Sequence, residues 1–500
     1  MTENRPNILW YCTDQQRFDT IAALGNPHVL TPTLDQLVAD GTAFTHAYCQ
    51  SPICTPSRSS FMTGMYPSRV HNCRNGNESF PDSPPLISKL LADSDYDCGM
   101  IGKFHLQSAG HRTEPRLDDG YRYWKFSHAP RDDWPEGHDY AEWVREQGGD
   151  LDTLRKQPEH VPPEFHQTTW ATTRAIEFID ESRDQPWMLS INIYDPHPPF
   201  IPPKAYADRF HRERMPGPYF RESDLQAQQK LKGVDFQTEA QNPETFDGKQ
   251  QQALYYAMIA QIDDQFARLL KHLDETGQRN NTVIIFTSDH GEMLGDHGLL
   301  FKGCRFYEGL IRVPLIMSWP EHFQANLKSD ALVELLDLSA TVLDLADVPI
   351  PDYFQGRSLR PLLEGQVKPD WHRDFVRCEY YDALDSAFIG TGSPDVPKTS
   401  DEAEESSARK FSSSQAAGIY PFPPRIGSFG TMYRDARYKL AVYHGHEMGE
   451  LFDLKNDPWE FENLWDSESH QTIKNQLIKR CFDATMLSAI DLGSRRIAPM

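Results

Sequence analysis

The clearest pattern along the chain is a set of short apolar runs, each ending abruptly in polar or charged residues. Asn7 to Tyr11, Cys98 to Ile101, Trp187 to Tyr194 and Thr282 to Thr287 are too short for stable helices and read as buried strands. The last of them is dominated by β-branched and aromatic side chains, the residues that favour a pleated, packed surface. Between the strands, Leu254 to Leu270 carries apolar residues three and four positions apart, the spacing of an amphipathic helix, and Leu332 to Leu345 repeats it. Strands and helices alternate in this way to about Ala346. That alternation predicts an α/β fold, with a large, mostly parallel sheet sandwiched by helices over residues 1–350. Residues 110–170 and 203–250 are polar, aromatic and irregular, and read as insertions that shape the mouth of a site.

Beyond Ala346 the pattern shifts. Residues 351–425 read as a connecting segment, within which 391–417, rich in Ser, Glu, Ala and Gly, looks like a mobile loop or a homo-oligomer contact. Tyr433 to Tyr443 and Glu450 to Leu454 read as a hairpin followed by a helix. Residues 426–500 are therefore expected to form a smaller C-terminal α+β subdomain.

Composition narrows the partners. The chain has 500 residues, with 73 Asp and Glu against 50 Lys and Arg, for a net charge of −23. Such a surface opposes binding to nucleic acid or to an anionic membrane, and favours small monoanionic substrates over long polyanions. Met1 to Pro6 runs straight into the first strand without an apolar stretch suited to a signal peptide or a spanning helix, so the expected location is the cytoplasm. None of the eight cysteines forms a Cys-x-x-Cys pair, and reduced, buried thiols are expected.

The strongest chemical signal is Cys54-Thr55-Pro56-Ser57-Arg58, followed by Ser59, Ser60, Thr63 and Gly64. A lone cysteine is ordinarily a small buried hydrophobe. Here Arg58 lies one helical turn away if Cys54 starts a helix, which brings a fixed cation and the positive helix end beside any charge developing at position 54. Pro56 suits that first turn. Two strand tips add ligands: Asp14-Gln15 follows the first strand, and Asp289-His290 follows the strand that ends at Thr287. Open α/β sheets place ligands at such tips. Two carboxylates, an amide oxygen and an imidazole suit a divalent cation. A second pair, Asp296-His297, lies among glycines and reads as a loop feature.

Cys-x-Pro-x-Arg with the following Ser-Ser-x-x-Thr-Gly resembles the signature of the type I sulfatases of the alkaline phosphatase superfamily. In that family a formylglycine-generating enzyme oxidises the cysteine to formylglycine, whose hydrated aldehyde carries two hydroxyls: one attacks sulfur, and the other later expels sulfate. The resemblance implies an alkaline phosphatase-like fold and a formylglycine at Cys54 beside Arg58. It also implies one divalent cation, calcium or alternatively manganese, held by Asp14, Gln15, residue 54, Asp289 and His290.

Three further segments match the same pattern. Gly102-Lys103-Phe104-His105 follows the strand at 98–101, and its alternation puts Lys103 and His105 on one side if the extended form persists. By resemblance Lys103 contacts sulfate and His105 accepts the proton that drives collapse of a formylglycine-sulfate intermediate. His197, in Asp195-Pro196-His197-Pro198-Pro199, matches a substrate-binding histidine that protonates the leaving alcohol, and Lys302 resembles a second sulfate-binding lysine.

Many sulfatases carry Asp-Asp and Asp-Asn where this chain has Asp14-Gln15 and Asp289-His290. These variants look like those of choline sulfatases and phosphonate monoester hydrolases. The expected function is hydrolysis of a small aryl or alkyl sulfate monoester to alcohol and inorganic sulfate. The alternative is a phosphonate monoester or phosphodiester hydrolase on the same fold and nucleophile, against which Lys103 and His105 weigh. A binding or scaffold protein would not need so many titratable groups to converge.

Overall fold

The computed structural model describes residues 5–75, 79–108, 113–132, 136–156, 162–231, 237–381, 429–444 and 446–489. Its centre is a nine-stranded sheet. Strands β1 (Asn7–Thr13), β2 (Thr42–Tyr48), β3 (Asp97–Gly102), β4 (Tyr123–Phe126), β5 (Trp187–Asn192) and β6 (Thr282–Ser288) are joined by β7 (Arg312–Val313), β8 (Leu315–Ser318) and β9 (Leu327–Glu334). Five strands in the order β4-β3-β5-β1-β6 run parallel. Beyond β6, β8 runs antiparallel and pairs with β2, and β2 also carries β7 and β9.

The apolar runs form these strands because both faces of the sheet are covered. Along β1, Ile8, Trp10 and Cys12 pack with helices α1 (Cys54–Thr63) and α4 (Leu336–Leu345), through Phe61, Met62, Leu338 and Val342. Leu9 and Tyr11 pack on the opposite face with α2 (Gln167–Asp180) and α3 (Gly248–Glu275), through Trp170, Phe178, Ile259 and Phe266. The two-residue period of a strand separates these layers. No helix among the described residues is long and apolar enough to cross a membrane.

A second, four-stranded antiparallel sheet contains β10 (Val376–Tyr381), β11 (Phe429–Arg434), β12 (Tyr438–Tyr443) and β13 (Gly449–Asp453). Leu440 and Leu451 on one face meet Leu477 and Cys481 of helix α5 (Gln471–Ala489). Met432, Tyr443 and Phe452 on the other face join the main core, so the small sheet packs as an extension of it.

Three expectations change. Leu332 to Glu334 belong to strand β9, paired with β2, and the helix expected from Leu332 begins at Leu336. Residues 110–170 are not wholly irregular, since β4 extends the main sheet beside β3. The segment 351–425 supplies β10 to the small sheet, while its stretch 391–417 lies outside the described residues. All eight cysteines are free thiols.

Candidate active site

The parallel strands β1, β3, β5 and β6 end side by side, and their backbone pairing continues past the last strand residues. Lys103 N–H donates to Asn192 O at 2.7 Å, Asp14 N–H to Asp195 O at 3.2 Å, and Asp289 N–H to Thr13 O at 3.2 Å. This alignment carries Asp14, Gln15, Lys103, His197, Asp289 and His290 to one edge of the sheet. Cys54, the first residue of α1, arrives at the same edge.

Helix α1 is buried along all ten residues although it is rich in hydroxyls. Three of its hydroxyls are satisfied locally: Ser59 Oγ donates to Thr55 O at 2.7 Å, Ser60 Oγ to Met65 O at 2.6 Å and Thr63 Oγ1 to Ser59 O at 2.7 Å. Ser57 Oγ reaches across to Asp289 O at 2.6 Å, tying the helix to the tip of β6. Gly64 ends the helix at φ 69°, where an added Cβ would lie 2.6 Å from the Phe354 ring.

The ten residues singled out in the sequence are all buried, and most meet around Cys54. Its sulfur lies 3.0 Å from Lys302 Nζ, 3.1 Å from His290 Nε2, and 3.7 Å from both Lys103 Nζ and Asp14 Oδ1. Burial and the Asp14 carboxylate push the thiol pKa up. Lys103, Lys302 and His290 outweigh them and bring it below the ordinary value. Lys103 also pairs with Asp14. Lys302 Nζ donates to Gln15 Oε1 at 3.0 Å and meets His197 Nε2 at 2.7 Å. Because His197 Nδ1 faces Pro198 O at 2.6 Å, its tautomer is set with the lone pair on Nε2. Burial and the neighbouring Lys302 hold His197 neutral, well below the usual histidine range.

Two residues make contacts that the sequence did not show. Arg58 sends its guanidinium to Asp289, with Nε 2.9 Å from Oδ2, and Nη1 donates to Lys103 O at 2.8 Å. It braces the ligand cluster, and its Nη2 has no hydrogen-bond partner among the described residues. His105 has φ 55°, so the extended form does not persist beyond Lys103. The cause is Glu114, whose buried carboxylate collects the N–H groups of His105, Leu106 and Gln107 at 2.6–2.7 Å and turns the chain. The His105 ring packs against His128, with centroids 4.5 Å apart, and its Nδ1 has no partner among the described residues.

Asp14, Cys54, Asp289 and His290 each offer a ligand atom within 4.8 Å of the others. This donor set fits a divalent cation. His290 Nδ1 faces Gly291 O at 2.8 Å, which leaves Nε2 as the ligating atom. Against burial, Asp289 and Cys54 raise the His290 pKa to about 9, a sign that the cluster draws positive charge to this point. Gln15 Oε1, joined to the same group through Lys302, adds an uncharged oxygen.

Sequence reasoning missed the outer residues, including Glu292, which accepts from the Gln15 amide, and Asn192, 3.3 Å from Arg58 Nη1. Glu292 stands two residues after His290, and its place in the same strand-tip segment was the available signal. The Asp296-His297 pair lies away from Cys54. Asp296 pairs with Arg17 at 2.8 Å, and His297 stacks on Tyr307 with centroids 4.1 Å apart.

The family pattern described as Sulfatase matches residues 6–348. The Arylsulfatase of Clostridium perfringens (strain 13 / Type A) is 31% identical over 404 residues, covering 76% of this chain and 83% of that protein. The multifunctional alkaline phosphatase superfamily protein PehA of Trinickia caryophylli is 31% identical over 432 residues, covering 76% and 82%. The crystal structure of the phosphonate monoester hydrolase of Agrobacterium radiobacter superposes with a TM-score of 0.76 at 25% identity, covering 97% of this chain and 96% of that one.

Proposed function

The chain belongs to the sulfatase family and is a sulfuric ester hydrolase; from that premise we propose that its substrate is a small aryl or alkyl sulfate, cleaved at a formylglycine made from Cys54 that transiently carries the sulfate. The observation that carries this reading is the surroundings of Cys54 Sγ. Two ammonium groups, Lys302 at 3.0 Å and Lys103 at 3.7 Å, flank the first residue of a buried helix. A monoanionic sulfate at that point would meet two cations and the helix N-terminus.

The oxidised residue would supply a hydrated aldehyde, with one hydroxyl to attack sulfur and a second to release sulfate. Held by Asp14, Gln15, Asp289 and His290, a divalent cation would make the attacking hydroxyl more acidic and draw charge from the sulfuryl oxygens. The remaining work falls to the chain's own side chains. Lys103 and Lys302 bind sulfate oxygens, and Arg58 holds Asp289 in register. His197 Nε2 accepts from Lys302 Nζ, takes up that proton and passes it to the leaving alcohol. His105 is kept neutral by burial and by the Lys103 charge, and its Nδ1 is the acceptor for the proton lost as sulfate is expelled.

The test is mass spectrometry of the peptide containing position 54, alongside turnover of an aryl sulfate. Active protein should carry the aldehyde or its hydrate, and Cys54→Ala and Cys54→Ser should lose nearly all turnover. Full activity with an intact thiol would overturn the reading. A second reading, hydrolysis of a phosphonate monoester, is favoured by the similarity to the Agrobacterium radiobacter enzyme. Rates on an aryl sulfate and an aryl phosphonate monoester, measured in parallel, decide between them.

A further inference from the structure

Gln15 is the unusual member of the ligand cluster, because an amide has two chemically different ends and only its oxygen can bind a cation. A carboxylate at that position would present an oxygen either way round. The chain therefore needs something that holds the amide in one orientation.

Glu292 occupies the required place. It is fully buried, and its Oε2 accepts a hydrogen bond from Gln15 Nε2. A carboxylate can only accept and an ammonium can only donate. With Glu292 on one side and Lys302 Nζ 3.0 Å from Oε1 on the other, the two ends of the Gln15 amide are assigned by chemistry. The backbone of Gln15 is tied as well. Its N–H donates to Asp289 Oδ1 at 3.0 Å, and its carbonyl accepts from Tyr255 Oη at 2.6 Å, which supports its φ of 71°.

The other oxygen of Glu292 is equally engaged. Oε1 accepts from Leu294 N–H at 2.9 Å and from Phe301 N–H at 2.5 Å, and Phe301 immediately precedes Lys302. One carboxylate thus connects the tip of β1, the segment after β6 and the loop that carries Lys302.

We propose that Glu292 is a positioning residue that fixes the Gln15 amide with its oxygen toward the cation and sets the Lys302 loop against it. The proposal rests on the metal-site reading above. In Glu292→Gln, the new amide keeps its oxygen on Leu294 and Phe301 and turns its NH2 toward the NH2 of Gln15. Two donors then face each other, and Gln15 relieves the conflict by rotating its oxygen away from the cluster. Exchanging both residues, Gln15→Glu with Glu292→Gln, restores one donor and one acceptor with the net charge unchanged. A carboxylate at position 15 also needs no orientation to offer an oxygen.

The test is a titration of chelator-treated protein with Ca2+, and separately with Mn2+, by calorimetry. Parent, Glu292→Gln, the double variant and Asp289→Asn are compared, with circular dichroism checking each fold. Glu292→Gln should weaken binding by about 10- to 100-fold, the usual range for losing a partner of a metal ligand, and the double variant should recover most of it. A purely structural role would leave the double variant as weak as the single one, and that result would overturn the proposal. Unchanged affinity in Glu292→Gln, with Asp289→Asn weakened, would also overturn it. Unchanged affinity in Asp289→Asn would instead remove the metal-site reading, and the proposal with it.

Discussion

Replacing Arg58 with methionine tests whether this buried cation holds the ligand cluster together. Arg58 is 1 % exposed and pairs at 2.9 Å with Asp289, itself 0 % exposed. It also donates to Lys103 O at 2.8 Å and Asn192 Oδ1 at 3.3 Å. Methionine fills most of the volume but leaves Asp289 without its main counter-charge. Breaking a buried ion pair from one side costs about 3–5 kcal/mol. If the main sheet and its helices melt as a unit of roughly 350 residues, at about 2 cal/mol/K of unfolding entropy per residue, the midpoint should fall by about 4–7 °C. A divalent cation would supply the missing positive charge beside Asp289, so the deficit in metal-free buffer should shrink in saturating calcium. Differential scanning calorimetry in chelator and in calcium reads both effects. A variant melting within about 1 °C of the parent in chelator would refute the bracing role, and an equal deficit in both buffers would refute the link to the cation site.

Other perturbations address separate parts of the molecule. His197→Ala should slow the first chemical step by ~10²-fold or more for poor leaving groups and less for acidic phenols; an equal loss across a series of aryl sulfates would exclude proton donation by this residue. Gly64→Val places a side chain 2.6 Å from the Phe354 ring at a φ of 69°. It should destabilise the fold by about 1–3 kcal/mol, and an unchanged urea midpoint would contradict the packing described. His46 is pushed down to about 3 from 6.5 by burial and by the Arg312 and Arg434 charges. It stays neutral in the fold and gains a proton on unfolding, so it contributes stability above about pH 6.5 that is lost as the pH falls toward 3. His46→Gln should flatten the acid limb of a plot of urea midpoint against pH, and a variant as acid-sensitive as its parent would refute the assignment.

Much of the site was legible because its chemistry lies where apolar strands stop. A buried parallel strand needs an uninterrupted apolar run, so the first polar residues after each run mark a strand tip, and Asp14, Lys103 and Asp289 stand there. Cys54 was legible for a different reason, since its motif is local and helix α1 begins on that residue.

Pairing over long sequence distances was not legible. Leu332 to Glu334 continue a helical spacing on paper, but β2 offers them an edge, and hydrogen bonding to that strand makes them β9. The turn at His105 depends on Glu114 gathering three N–H groups, and Arg58 pairs with Asp289 because strand β6 brings that carboxylate beside it. Glu292 meets Gln15 across 277 positions. The sequence by itself determined which strands are buried, where they end and which reactive groups stand at their tips, because those depend on local pattern. Only the tertiary structure decided which of those groups touch. A hydrogen bond or an ion pair is set by a few ångströms of placement, and that placement follows from how distant strands pack, which the spacing of residues along the chain does not contain.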